Sequence, residues 1–451
     1  MVTCDRLDDD GVGVADVQTE AGLLRVHVAG ALPGEQVRAT VAHVSPHASA
    51  QGRDAWADLE KILTASPDRV AAPCPAHRRC ASCPLAVWTY PRQLQWKRDL
   101  VARAMATQPE LVQVEVAACV PSPRPFGYRS NAKYVFGYDR EGTLVLGAYA
   151  PRSHEIVDMS DCRIGEPVLS EVASALLGLL RRHEVAPFDE IQRTGILRYV
   201  ILRANADAKV LVALVTARES WPLAATIAHE FAAACPTVLG VVHNINDAAG
   251  NTLFGDREQV LWGSATIEDS IGPARVRLGP SSFCQANRLV AGRAYHDIVT
   301  AAAGLGAIDR VVDAYAGAGG IAFSLAPLAR EVVAIEENPA ATAQALVAER
   351  GAADPAARVR FVTGDVADHL AHVGPADLVV LNPPRKGCAG AVLAAVAQLR
   401  PRLVAYLSCN PVTLARDLAV LARLGLHTVG VTPYDMLAQT PHVEALALVQ
   451  R

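Results

Sequence analysis

The run Tyr406-Leu407-Ser408-Cys409-Asn410-Pro411 sets a thiol between two readable elements. The apolar stretch Leu403 to Leu407 before it reads as a buried strand. Thr413-Leu414-Ala415-Arg416-Asp417-Leu418 after it reads as a helix start. Cys409 is therefore expected at the carboxyl end of a strand, where open α/β sheets bind ligands. A second run, Gln439-Thr440-Pro441-His442-Val443-Glu444, ends in a carboxylate. A thiol and a carboxylate on adjacent strand ends can serve as nucleophile and base.

Further strand ends carry groups suited to a nucleotide-like cofactor. Arg310-Val311-Val312-Asp313 leads into Ala314-Tyr315-Ala316-Gly317-Ala318-Gly319-Gly320, a glycine-rich turn, and then a helix from Ile321 to Leu328. Glycines let the backbone approach a ligand closely. Val332-Val333-Ala334-Ile335-Glu336 is a second strand whose terminal acid suits ribose hydroxyls. NAD and S-adenosylmethionine are the two candidates. Glycines at 317, 319 and 320 depart from the G-x-G-x-x-G of NAD sites, and Asp313 suits a methionyl amine better than a pyrophosphate. Phe361-Val362-Thr363-Gly364-Asp365 ends a third strand in an acid for the adenine amine. Leu378-Val379-Val380-Leu381 ends a fourth in the loop Asn382-Pro383-Pro384-Arg385. The set predicts an α/β class I S-adenosylmethionine-dependent methyltransferase fold, Rossmann-like in its layering. An ordinary Rossmann domain with another ligand is the alternative.

These residues need a scaffold, and 451 residues suffice for two or three domains of about 100–200 residues each. Short alternating segments split by turn residues such as Pro33-Gly34 make residues 1–60 a small β-barrel. A cysteine-rich loop at 73–84 follows, with Cys74, Cys80 and Cys83 in C-x5-C-x2-C spacing, then a helix-like stretch at 85–107. Mixed strands and helices continue to 275, giving a central α+β domain over 61–275. From 276 to 451 helix and strand signals alternate as in a doubly wound parallel sheet.

The chain is 51% hydrophobic, enough for a large core, and its net charge of -4 excludes a generally basic nucleic-acid binder. Residues 71–133 nevertheless carry nine Lys/Arg against three acids, a local excess able to meet a polyanion; a solvated helix face with scattered arginines is the alternative. No stretch approaches ~18 uninterrupted apolar residues, so no membrane span is expected. Met1-Val2-Thr3-Cys4-Asp5-Arg6 lacks an apolar signal region, which predicts a cytoplasmic protein. Ten cysteines there point to metal or catalysis rather than disulfides. A monomer is expected.

Several runs together resemble the RNA 5-methyluridine methyltransferases of the RumA/TrmA type. Pro125-Phe126-Gly127-Tyr128-Arg129-Ser130-Asn131-Ala132 is similar to that family's P-x-x-Y-R-x-x-A segment. Ser282-Phe283-Cys284-Gln285-Ala286-Asn287 is similar to its F-F-Q-x-N segment. The Ser408-Cys409-Asn410-Pro411 run with Thr413, Arg416 and Asp417, and His442-x-Glu444, complete the match. The resemblance implies that residues 1–60 form a TRAM domain, a small RNA-binding barrel. It implies S-adenosylmethionine held by Gln285, Asp313, Tyr315, Gly317, Gly320, Glu336, Asp365 and Asn382. It makes Cys409 the nucleophile and Glu444 the base for methylation of uridine carbon 5 in RNA. Cys74, Cys80, Cys83 and the distant Cys162 match the ligands of a [4Fe–4S] cluster, with zinc as the alternative. The cluster-containing branch acts on large-subunit ribosomal RNA, the favoured substrate; the transfer-RNA T-loop is second.

Four positions depart from the family pattern. Asn382 stands where Asp is usual, Gly320 where Asn is usual, and Leu437-Ala438 replaces Phe-Pro. Asn382-Pro383-Pro384 keeps an amino-group methyltransferase open as an alternative. A non-catalytic RNA-binding factor is the other.

Overall fold

The structure is a computed structural model that describes every residue except 21, 50, 51, 152, 251 and 348–357. The first sheet contains β1 (Val2–Thr3), β2 (Arg6–Leu7), β3 (Gly13–Thr19), β4 (Gly22–Val28), β5 (Gln36–Ser49) and β6 (Gly52–Thr64) in the order β1-β5-β6-β4-β3-β2. β1 and β2 are halves of one extended run. Between them the Cys4 N–H donates to Glu35 O at 3.0 Å and the Asp5 N–H to Val14 O at 2.9 Å. The run pairs with β5 on one side and β3 on the other, closing the sheet into a ring around Cys4, Ala15, Val26, Val28 and Val37. β6 runs to Thr64, past the boundary at 60, because it pairs along β5 as far as Gln36.

The cysteine loop forms a short helix, α1 (His77–Cys80), and a 3-10 turn, Pro84–Val87, before α2 (Tyr90–Ala106). α2 buries Gln93, Trp96, Lys97, Val101, Ala104 and Met105, a stripe at helical spacing. Lys97 is fully buried and ion-paired with equally buried Asp435. Its Nζ also donates to Leu437 O at 3.0 Å. The Tyr90 hydroxyl donates to the other Asp435 oxygen at 2.6 Å.

The central sheet has β7 (Asn131–Tyr138), β8 (Leu144–Tyr149), β9 (Ile156–Asp158), β10 (Leu197–Ala204), β11 (Val210–Thr216), β12 (Val238–Ile245) and β13 (Arg257–Gly263). α3 (Pro167–Arg182) and α4 (Ala224–Ala234) share one core with it, and the hairpin β14 (Ile267–Ile271) and β15 (Ala274–Leu278) follows.

The last sheet carries the chemistry. Its strands are β16 (Ile308–Ala314), β17 (Ala329–Glu336), β18 (Val359–Thr363), β19 (Leu378–Leu381), β20 (Leu403–Ser408), β21 (His427–Tyr434) and β22 (Glu444–Gln450), in the order β18-β17-β16-β19-β20-β22-β21. Neighbours from β18 to β20 are parallel, and β22 alone runs against the rest. β16, β17, β19 and β20 are covered on both faces, which is why they read as unbroken apolar runs. One face packs on α5 (Arg288–Ala303) and α6 (Gly320–Leu325). The other packs on α2, α9 (Gly390–Gln398) and α10 (Pro411–Arg423), with α7 (Pro339–Val347) and α8 (Val366–Leu370) in the remaining crossovers. The order reverses between β16 and β19, the position where doubly wound sheets open a crevice at their carboxyl ends. This is the class I methyltransferase layering expected from the sequence.

Removing one member of a buried ion pair strands the other charge, at a cost of about 3–5 kcal/mol. We predict that Lys97→Met lowers the unfolding free energy by that amount in guanidinium titrations. A change under about 1 kcal/mol contradicts the assignment.

Candidate active site

Register brings the thiol and the carboxylate together. In the antiparallel β20–β22 pair, Ser408 lies opposite Ala445. Cys409 therefore leaves β20 beside the point where Glu444 enters β22, and both line one cavity of about 490 Å³. The same cavity is lined by Gln285, Tyr315, Gly317, Gly320, Glu336 and Asn382, all expected at a cofactor site.

The glycine turn is shaped by backbone that few side chains tolerate. Gly317 and Gly319 have φ of 56° and 83°, and Tyr315 is forced to 65°. A Cβ on Gly319 would lie 2.6 Å from the Phe361 ring. Glu336 accepts from the Gly317 N–H at 2.8 Å and from the Asn338 N–H at 2.8 Å. A carboxylate has about four acceptor sites, so it can still take ribose hydroxyls.

Two expected cofactor residues lie elsewhere. Asp365 is exposed and caps α8, accepting from the Ala367 N–H at 2.7 Å. Asp313 is 1% exposed, beneath the turn rather than on the cavity wall, and the Ala322 amide is the only group among the described residues that lowers its pKa. Burial pushes its carboxyl from 3.8 up to about 7, against the pull of the Ala322 amide and with a small push from Glu336.

The residues around Cys409 are caged by the helix that follows. The Asn410 side chain caps α10, accepting from Val412 and Thr413 N–H groups, and its Nδ2 donates to Arg385 O at 3.1 Å. Thr413 Oγ1 donates to the same carbonyl at 3.2 Å, and Arg416 to Lys386 O at 3.0 Å. Buried Asp417 accepts from the Cys388 N–H at 2.7 Å and the Tyr406 hydroxyl at 2.6 Å. The signature residues after Cys409 thus hold the Asn382–Cys388 loop in place.

That loop delivers Arg385, a site residue the motif reading passed over. Burial first, and Glu444 second, raise the Cys409 pKa; Arg385 lowers it. Burial drives Glu444 up to about 8, again opposed by Arg385. A carboxyl raised by burial, a thiol raised by burial and by that carboxyl, and one guanidinium opposing both shifts are suited to passing protons near neutral pH. Oε2 of Glu444 has no hydrogen-bond partner among the described residues, and Glu444 lines the cavity.

No family model matches the chain. An uncharacterized RNA methyltransferase of Geobacter sulfurreducens is 37% identical over 452 residues, covering 98% of this chain and 88% of that protein. The chain belongs to this family of RNA methyltransferases. A second such relative, from Halalkalibacterium halodurans, is 35% identical, covering 100% of this chain and 96% of its own. In fold, the chain is similar to the tRNA (uracil-54, C5)-methyltransferase of Pyrococcus abyssi solved with S-adenosyl-L-homocysteine, at a TM-score of 0.76, 23% identity, and coverage of 99% and 98%.

The methyltransferase gathers its distant cysteines as well. Cys74, Cys80, Cys83 and Cys162 line a separate cavity of about 210 Å³. Burial pushes the Cys83 thiol up to about 12, helped by Cys162, Cys80 and Cys74. Mutual repulsion of that kind is what a bound cation reverses. Among the described residues no group of three or more His, Cys, Asp or Glu side chains is spaced to hold a metal ion.

Glu444 gives a signed pH test. Its folded pKa lies above the ordinary 4.5, so its share of stability is full while it is protonated in both states and falls as pH climbs from 4.5 to about 8. We predict that Glu444→Gln matches the wild type in urea titrations at pH 4.5 and exceeds it at pH 8. A constant difference across that range would contradict the buried carboxyl.

Proposed function

We propose that this protein methylates carbon 5 of a uridine in RNA, using S-adenosylmethionine. The observation that carries the reading is the shared cavity: Cys409, Arg385 and buried Glu444 at one end, and the Glu336-braced glycine turn with Gln285 at the other. Carbon 5 of uracil is a weak nucleophile. Addition of the Cys409 thiolate at carbon 6 makes an enolate, and carbon 5 then takes the sulfonium methyl. Glu444 removes the carbon 5 proton, the thiolate leaves, and the ring is restored. Arg385 favours the thiolate at the first step and the carboxylate at the last. Ribose hydroxyls lie on Glu336, while Asp313 supplies a negative field from beneath the turn rather than a direct contact. Asn382 faces the ring, and its amide can pair with both N3–H and the 4-carbonyl of uracil.

The test uses RNA carrying 5-fluorouridine, which blocks proton removal and traps the covalent state. Large-subunit ribosomal RNA and transfer RNA form its two arms, the ribosomal arm being favoured on the resemblance of the cysteine loop. We predict a denaturation-resistant protein–RNA adduct with the wild type and none with Cys409→Ala. With ordinary RNA, Glu444→Gln accumulates the adduct while turnover drops at least about 100-fold. Full 5-methyluridine formation by Cys409→Ala would sink the reading. A methylated exocyclic amine as product would favour the amino-group alternative.

The resemblance supports reading Cys74, Cys80, Cys83 and Cys162, which line one cavity without being spaced to hold a metal ion, as ligands of a [4Fe–4S] cluster with a structural role, since methyl transfer consumes no electrons. We predict iron and acid-labile sulfide in anaerobically purified protein, both lost in Cys83→Ser. Stoichiometric zinc without iron would assign the site to zinc instead.

A further inference from the structure

Cys409 and Arg385 border two cavities. Besides the one they share with Glu444, they line a second of about 350 Å³ that opens toward the N-terminal barrel. Its walls are the β2–β3 loop at Asp9 and Asp10, the face of α2 at Arg103, the start of α10 at Val412, and His442. The thiol is thus a partition. A ring lying over it on the cofactor side belongs to a polynucleotide, and its phosphates and neighbours need a solvent-facing path past the partition.

Arg385 in this second cavity is engaged with Cys409, but the charges of Arg103, Asp9 and Asp10 are unspent. α2 has four cations, and three are engaged: Arg92 with Asp68, Lys97 with Asp435, Arg98 with Asp99. Arg103 has no ion pair among the described residues, and it is the one that faces the cavity. Across from it, Asp8 is consumed in shaping its loop. Its Oδ1 accepts from the Asp10 and Val12 N–H groups at 3.0 and 2.9 Å, and its Oδ2 meets His27 at 2.7 Å. The Asp9 and Asp10 carboxylates that this turn presents are exposed and have no hydrogen-bond partner among the described residues. Exposed Val412, with half-buried Pro441, adds apolar surface on which a ring can lie.

We propose that this cavity is a subsite for the nucleotide adjoining the target, with its phosphate on Arg103 and its base edge on Asp9 or Asp10. The polarity is set by charge. A phosphate against the two carboxylates would be repelled, whereas an ionised carboxylate only accepts and therefore selects an N–H edge. Adenine, cytosine and guanine present an exocyclic amine. Uracil flanks its one N–H with two carbonyls, which a carboxylate repels. The subsite therefore prefers an amino-bearing base beside the target. This rests on RNA being the substrate, as proposed above.

The test uses the full chain and hairpin RNAs with one loop 5-fluorouridine, its neighbour on each side varied among the four bases. Equilibrium binding is measured against salt, and adduct formation against time. With Arg103→Ala, binding weakens about tenfold for every sequence, and the slope of log affinity against log salt falls by about one. In the wild type, adduct forms at least about tenfold faster when the neighbour on one side is A, C or G than when it is U. Asp9→Asn with Asp10→Asn narrows that gap, because an amide also donates. The subsite is overturned if Arg103→Ala leaves affinity and slope unchanged, or if the wild type shows no neighbour preference, or if the double variant keeps it. Absence of adduct with every RNA would sink the uridine chemistry instead, and the binding arm would still decide the subsite.

Discussion

Everything at this site depends on one reversed strand. β22 enters the sheet between β20 and β21 and runs against both, so it starts where β20 ends. The Ser408–Ala445 pairing then sets Glu444 beside Cys409 without help from any loop. A slip of one residue would turn Glu444 to the opposite face of the sheet and seat a valine or an alanine in its place. The flanking apolar residues forbid it, since Val443, Ala445, Ala447 and Val449 share one buried core and Leu446 lies in the other.

Burial supplies the electrostatics that this register makes usable. A carboxyl held near 8 and a thiol raised by the same dry surroundings cannot both ionise cheaply. Arg385 offsets part of that cost for whichever is charged, and it is held by main-chain contacts from α10 rather than by an acid of its own.

The sequence showed these features unevenly, for physical reasons. Strands buried on both faces leave continuous apolar runs, so β16, β17, β19 and β20 could be read directly, and with them the strand-end positions of Glu336, Asn382 and Cys409. The glycines at 317 and 319 were equally plain, because their positive φ excludes most residues. Which way a strand-end acid spends its lone pairs is a different matter. Asp365 and Glu336 look alike in sequence, yet one caps a helix and the other braces the turn. Arg385 was visible only as a charge in a loop, since its importance comes from a thiol and a carboxyl on two other strands. The parts of the signature after Cys409 were recognisable as a pattern, while their work in caging the Asn382–Cys388 loop became apparent only with the fold.

The Lys97–Asp435 pair has a consequence for how the chain is divisible. Asp435 opens the segment that carries the chain toward Glu444, and that segment is gripped from the N-terminal half at several points. Lys97 and Tyr90 hold Asp435, the Leu85 N–H and Gln93 Nε2 both donate to Gln439, and the Tyr128 hydroxyl donates to Ala438 O at 2.9 Å. A methyltransferase sheet cut free of residues 1–130 would expose an apolar face and leave a buried aspartate with no counter-charge. The last sheet and residues 1–130 are therefore joined through a buried ion pair, and neither can be exchanged between relatives as a module unless the α2–Asp435 contact travels with it.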